Sequence, residues 1–333
     1  MEPILCPDNR ADWSTRDTRP HRVLLSAGLE PSESRPLALI SMAAAEEQGR
    51  IEVPGGRVWY RRIGGGPGAP LLVLHGGPGS STLGQDTWLG DLPAEREVVL
   101  YDQLGSGHSD KPDDPSLWRV ERFVEELSAV RAALDLDEVC LLGQSWGTML
   151  GASYLATGPS GVRALIFSSP CLDARQWERD QRELLAQMPA EVRATVERCE
   201  QAGTTDSPEY EEAKLAYYHR HVCRLDPWPD IIRQIVAGTN RQVYGLMWGA
   251  SEFTVTGTLR DFDARPSLPK LDMPVLFTCG EYDEARPETV EQHRRLVPGA
   301  AMHVYEGASH VTCFEVPDAY RAVVSSFLAE HAP

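Results

Sequence analysis

Ser145 lies in Gly143-Gln144-Ser145-Trp146-Gly147, a G-x-S-x-G pentapeptide. The apolar run VCLLG leads into it and a helical stretch, WGTMLGASYLAT, leads out. That strand–turn–helix setting is what a nucleophile elbow demands: a sharp turn exposes the serine hydroxyl, and small flanking residues let backbone segments approach closely. A serine hydroxyl is a weak nucleophile until a histidine removes its proton, and an acid must hold the tautomer of that histidine. Elbow enzymes supply the acid and then the histidine later in the chain. Asp283 stands just beyond the run PVLFTCG, and His310 just beyond AMHVYEG. Glu281 and Glu284 flank Asp283 as rivals, and the G-x-x-D spacing after the strand favours Asp283. The chemistry expected of Ser145, Asp283 and His310 is acyl transfer.

Acyl transfer also needs donors for the developing oxyanion. One is expected from the backbone N–H of Trp146, the residue after the nucleophile, and the other from a loop after an earlier strand. His75-Gly76-Gly77-Pro78-Gly79 follows LLVL directly, and its small residues leave the backbone open to a ligand. The second donor is assigned to Gly77, with Gly76 as the rival.

These residues need a scaffold of strand ends. Apolar runs at 71–75, 97–102, 139–143, 164–169, 274–280 and 301–307 read as buried strands, and RVWYRR at 57–62 as an alternating one. The Gly-rich stretch at 63–70 reads as a turn between two of them. Helical segments at 118–134, 146–157, 287–297 and 317–330 lie between the strands. The fold class expected is α/β, with a mainly parallel sheet covered by helices on both faces. Residues 171–260 break the alternation. They are rich in helix formers and aromatics, with no good buried strand, and read as a helical cap inserted into a core formed by 49–170 and 261–333. Tyr244, Trp248 and Phe253 are candidates to line a pocket under it.

The 333 residues carry Lys+Arg 32 against Asp+Glu 49, a net charge of −17. That argues against a nucleic-acid partner and against docking on an anionic membrane. No stretch of 18 continuous apolar residues is present. The seven cysteines are widely spaced with no C-x-x-C, which disfavours a zinc site or disulfide framework and fits a reducing, cytoplasmic location. Residues 1–48 read as an extension, with Met42 an alternative start; no oligomeric state can be read.

Together HGGPG (75–79), YDQLGSGHS (101–109), GQSWG (143–147), SEFTVTGT (251–258), GEYDE (280–284) and the GASH ending at His310 resemble the proline iminopeptidase family of serine α/β-hydrolases. The resemblance covers roughly 49–330. It implies hydrolysis after an unblocked N-terminal residue, often proline, of a peptide or an amino-acid amide, without a cofactor. It also implies acidic residues that hold the α-amine of the substrate, at positions that match Glu252 and Glu284 here. A protonated amine in a desolvated pocket needs a paired anion. Two departures stand out: Leu104 where many members carry Arg, and Thr148 where many carry Gly. Neither is expected to touch the triad, and both leave peptidase and amidase open.

Two decoys are set aside. The glycines at 64–66 and 68 precede a strand instead of opening a helix, so they do not form a dinucleotide loop. His219 and His221 stand two apart in helical sequence, where their rings diverge, so no metal site is assigned. Alternatives to the peptidase are an L-amino-acid amidase, an esterase, lactonase or acyltransferase acting on a small metabolite, and a hydrolase-fold ligand binder without catalysis.

Overall fold

The computed structural model describes residues 46–333; most of the extension, with Cys6 and Met42, lies outside them. In chain order the first half holds β1 (Glu46–Val53), β2 (Gly56–Leu74), α1 (Leu92–Glu95), β3 (Arg96–Asp102), α2 (Val120–Ala133), β4 (Val139–Gln144), α3 (Trp146–Leu155) and β5 (Val162–Ser168). There follow α4 (Ala174–Leu185), α5 (Ala190–Ala202), α6 (Pro208–His221), α7 (Asp230–Gly238), α8 (Arg241–Met247) and the hairpin of β6 (Gly249–Ser251) and β7 (Thr254–Val255). The chain then returns through β8 (Val275–Gly280), α9 (Pro287–Arg295), β9 (Ala301–Tyr305), α10 (Thr312–Glu315) and α11 (Pro317–His331).

Parallel pairing links β2, β4, β5, β8 and β9 in that spatial order, while β1 and β3 each pair with β2. Alternate residues of each central strand enter opposite faces, as a strand's period of two requires. Leu72, Leu74, Leu141, Leu165, Phe167 and Phe277 pack with Phe123, Leu127 and Met149 of α2 and α3. Their neighbours Leu71, Val73, Leu142, Ile166 and Leu276 pack on the other face with Tyr320, Val324 and Leu328 of α11. Both faces are dry, so these runs are continuous apolar segments. The expected α/β-hydrolase architecture is present.

Two expectations are corrected. β1 begins at Glu46, so residues 46–48 belong to the sheet and not to the extension. Residues 63–70 are no separate turn; the extended chain runs through them as part of β2. Val98 of β3 has two partners on β2, Ile63 at the start of this stretch and Leu71 after it, so β2 passes along both edges of β3. The crossing is tight: a side chain at Gly64 (φ +89°) would start 2.1 Å from the carbonyl oxygen of Pro93. Glycine is needed there for space as well as for its backbone angle.

The inserted helices have their own core of Leu184, Leu185, Met188, Val196, Tyr210, Tyr217 and Phe253. The segment enters and leaves side by side. Ala174 N–H donates to Phe262 O at 3.0 Å, and Ala264 N–H to Leu172 O at 2.8 Å. Sequence reading missed the β6–β7 hairpin because its strands have three and two residues, too short to show a period. Its turn carries Glu252. The six described cysteines are all free thiols and all buried. Among the described residues no helix is long and apolar enough to cross a membrane.

Candidate active site

Ser145 stands between β4 and α3 with φ 53° and ψ −119°, a strained backbone held by its surroundings. Its N–H donates to Ser168 O at 3.1 Å, at the end of β5. A side chain at Gly147 would start 2.0 Å from Leu74 O, so only glycine lets α3 approach β2 this closely. Trp146 is the first residue of α3, where backbone N–H groups have no intrahelical acceptor and the helix dipole favours negative charge. The loop after β2 lies alongside: a Cβ placed on Gly76 would be 3.3 Å from Ser145 Cβ. Among the described residues the Gly77 N–H makes no backbone hydrogen bond.

The loops after β8 and β9 bring Asp283 and His310 together. His310 Nδ1 lies 2.8 Å from Asp283 Oδ1. Asp283 is buried and accepts from Gly280 N at 3.1 Å and Ala285 N at 2.8 Å, which fixes its carboxylate. The rival Glu281 instead accepts from Gly307 N at an exposed site. Burial pulls the His310 pKa down, but the charge and hydrogen bond of Asp283, followed by Glu252 and Glu315, leave it raised. Among the described residues Ser145 Oγ makes no hydrogen bond to His310; such bonds often tighten only when substrate is bound.

Glu284 is buried, and neither of its carboxylate oxygens has a hydrogen-bond partner among the described residues. Its Oε1 lies 3.7 Å from His310 Nε2, on the side of the ring away from Asp283. Burial raises its pKa well above the ordinary carboxylate range, and the charges of Glu252 and Asp283 raise it further. Glu252 approaches from the hairpin. Its Oε1 accepts from the Tyr244 hydroxyl at 2.6 Å, its N–H donates to the Tyr218 oxygen at 3.3 Å, and its carbonyl accepts from Trp177 Nε1 at 3.0 Å. Burial raises its pKa too, against the lowering effect of the Tyr244 bond.

Several other residues at the site were not singled out in the sequence. Trp177 packs edge-on against the His310 ring at 5.8 Å between centroids. Ser169 Oγ donates to His310 O at 3.0 Å. Gln103 joins the two candidate oxyanion segments: its Oε1 accepts from Trp146 Nε1 at 2.7 Å and its Nε2 donates to His75 O at 3.2 Å. Its N–H donates to His75 Nε2 at 3.0 Å, which leaves Nδ1–H of that ring to donate to Gly76 O at 2.7 Å. Its signal was present in the DQLGSG motif, but nothing local says where a glutamine side chain reaches. Gln103→Leu is expected to lower kcat roughly tenfold with little change in KM, and to cost about 1–3 kcal/mol through the partners left unpaired. Steady-state kinetics and a melting curve on the purified variant check this.

Two readings change. Phe253 is fully buried with Tyr210 and Tyr217 in the core of the insert and lines no pocket. Thr148 does touch the candidate triad: its Oγ1 donates to Ser145 O at 2.6 Å and accepts from Cys171 N at 3.1 Å, tying the elbow to the start of the insert. Leu104 is buried in the core, where its N–H donates to Glu126, which pairs with Arg122. His219 packs on Trp228, whereas the His221 ring meets Tyr282 O at 2.9 Å. A surface cavity of about 290 Å3, lined by Trp59, Arg61, Leu83, Asp86 and His108 among others, includes none of the candidate residues.

Comparison with known proteins decides the family. The family profile described as alpha/beta hydrolase fold matches residues 69–317. A proline iminopeptidase from Heyndrickxia coagulans is 48% identical over 283 residues, covering 84% of this chain and 98% of that protein. The chain belongs to the proline iminopeptidase family of α/β hydrolases. It is an enzyme of the serine hydrolase type. Solved structures agree. The crystal structure of the proline iminopeptidase of Mycobacterium smegmatis superposes with a TM-score of 0.78 at 37% identity, covering 86% of this chain and 98% of that one. The crystal structure of VinJ gives 0.82 at 35%, covering 86% and 99%. The quoted motifs all fall within the residues that the family profile matches.

Proposed function

We propose that this protein hydrolyses the amide bond after an unblocked N-terminal residue of a small peptide, with proline the first residue to test. Ser145 Oγ attacks the carbonyl while His310 Nε2 takes its proton, and Asp283 stabilises the imidazolium. The N–H groups of Trp146 and Gly77 receive the oxyanion. His310 then protonates the leaving amine, an aminoacyl-enzyme forms, and water activated by His310 releases the amino acid. Glu284 and Glu252 hold the α-ammonium of the substrate. No metal or cofactor enters these steps. Residues 171–260 serve as a cap over a core made of 49–170 and 261–333, and a cytoplasmic location fits the buried free thiols.

The observation that carries this reading is the carboxylate of Glu284, buried, without a hydrogen-bond partner among the described residues, and 3.7 Å from His310 Nε2. A buried carboxylate with nothing to pair with is costly. An incoming ammonium removes that cost and places the next carbonyl at Ser145. The test is a matched pair of proline anilides, one with a free and one with an acetylated nitrogen. Strong preference for the free amine is expected; equal turnover would reject the role of Glu284 and Glu252 and return the choice to esterase-like reactions. Proline amide run beside a proline dipeptide separates the amidase from the peptidase.

The pH profile follows from the same groups. Productive encounter needs neutral His310 and ionised Glu284 and Glu252, all raised above their ordinary values. The acidic limb of kcat/KM is therefore expected at higher pH than an unperturbed histidine near 6.5 would give, and the alkaline limb near the amine pKa of the substrate, about 8. Glu252→Gln removes one raised acid and one charge that lifts His310, so the acidic limb should move to lower pH. An acidic limb that stays in place in this variant would contradict the assignment.

A further inference from the structure

Glu284 follows β8, yet its main chain is held by the inserted helices. Its N–H donates to His221 O at 3.3 Å, at the C-terminus of α6, where helix carbonyls have no intrahelical donor. Its carbonyl accepts from Gln181 Nε2 at 2.9 Å, on α4. Two residues earlier, Tyr282 O meets His221 Nδ1 at 2.9 Å. Among the described residues the carboxylate itself has no hydrogen-bond partner, so this anchored backbone decides where the charge stands.

Gln181 is fully buried, and both ends of its amide are used. Its Oε1 accepts from the Tyr217 hydroxyl, which is buried in the core of the insert. A hydroxyl donor on one side and a carbonyl acceptor on the other allow one amide orientation only. The chain of bonds therefore runs from the insert's core, through Tyr217 and Gln181, to the backbone of Glu284. His310 N–H donates to the same His221 carbonyl at 3.2 Å, but Gln181 makes no bond to His310 or Asp283.

We propose that Gln181, supported by Tyr217, is the positioning residue that sets the free-amine requirement: it holds Glu284 where the α-ammonium of the substrate meets it. This rests on the reading that Glu284 takes the amine. Gln181 belongs to α4 and Glu284 to the core, so the amine site is complete only when the insert is docked. Recognition of the amine and docking of the insert are then one event, while the nucleophile and acid stand on core loops and the base takes one main-chain bond from α6.

The test uses the full chain with Gln181→Leu, Tyr217→Phe and Glu284→Gln. The substrates are free and N-acetylated proline anilide and 4-nitrophenyl acetate, which has no amine. Gln181→Leu should raise KM for the free-amine anilide roughly three- to tenfold, the loss of one buried hydrogen bond, with kcat within about twofold. Tyr217→Phe should give a smaller rise of about two- to threefold in the same direction. The preference for free over acetylated substrate should fall by the same factors, with ester hydrolysis little changed. An unchanged preference in Gln181→Leu overturns the proposal, and so does an equal loss on the ester, which would mark a general structural role. Should Gln181→Leu fail to fold, Tyr217→Phe decides by the same ratio. Glu284→Gln separates the layers: preference retained there rejects the amine role itself, whereas preference lost there but kept in the other two rejects only the positioning.

Discussion

Ser145→Ala should abolish turnover with the fold intact, lowering kcat by on the order of 10^6, the scale seen when a triad nucleophile is removed. The structure says why stability should survive. The backbone at Ser145 is held by main-chain bonds to Ser168 and by Thr148 bonding its carbonyl, none of which needs the hydroxyl. An alanine occupies the same angles at no greater cost than serine, so the melting temperature should change by less than about 0.5 kcal/mol would produce. Two measurements check it: single-turnover release of 4-nitroaniline, and covalent labelling by a fluorophosphonate. Retained turnover or labelling in the variant would mean another nucleophile and would remove Asp283 and His310 from their roles.

Glu284→Gln should produce the second large effect, and in opposite directions for activity and stability. Leaving a buried ammonium without its anion typically costs about 3–5 kcal/mol, so kcat/KM for free-amine substrates should fall by about a hundredfold to several thousandfold. Acetylated substrates gain nothing from the carboxylate and should lose little. Stability moves the other way. The folded-state pKa of Glu284 is raised, so the folded protein binds a proton that the unfolded chain gives up near pH 4.3. Its contribution is therefore best at low pH and is lost as pH rises toward the raised folded value. Glutamine does not titrate and carries no charge to bury. The variant should melt higher than the parent, by about 2–4 °C for each kcal/mol gained, with the gap wider at pH 8 than at pH 5. A variant that melts lower at both pH values would show that the carboxylate is not an unpaired burden in the free protein.

In the proposed role the same residue combines a weakness of the free protein with recognition of the substrate. That conflict explains how Glu284 is surrounded. Its backbone is tied down by Gln181 and His221, and its side chain is left without a partner. Glu252 is handled differently: Tyr244 bonds its carboxylate and Trp177 and Tyr218 bond its main chain, so the two acids are not equivalent. Glu252 should tolerate substitution better for that reason.

Local sequence determined the order of the candidate triad residues and the strand ends. Ser145, Asp283 and His310 were legible because each stands directly after a buried apolar run, and the elbow is a matter of neighbouring residues: Gly143, Gly147 and the turn between them. The buried strands were legible because both faces of the sheet are dry, which makes each strand a continuous apolar run. The loop glycines beside Ser145 were legible by composition. Where sequence reading went astray, the deciding contact was distant. The stretch at 63–70 has the composition of a turn, but pairing with both edges of β3 keeps it extended. Phe253 has the composition of a pocket residue, but Tyr210 and Tyr217, far away in sequence, enclose it. Only tertiary structure decided that Gln103 joins His75 to Trp146, and that Gln181 on an inserted helix holds the backbone of Glu284 in the core. A buried polar side chain satisfies itself with whatever the packing of separate elements brings within about 3 Å, and no local pattern of residues records which element that will be.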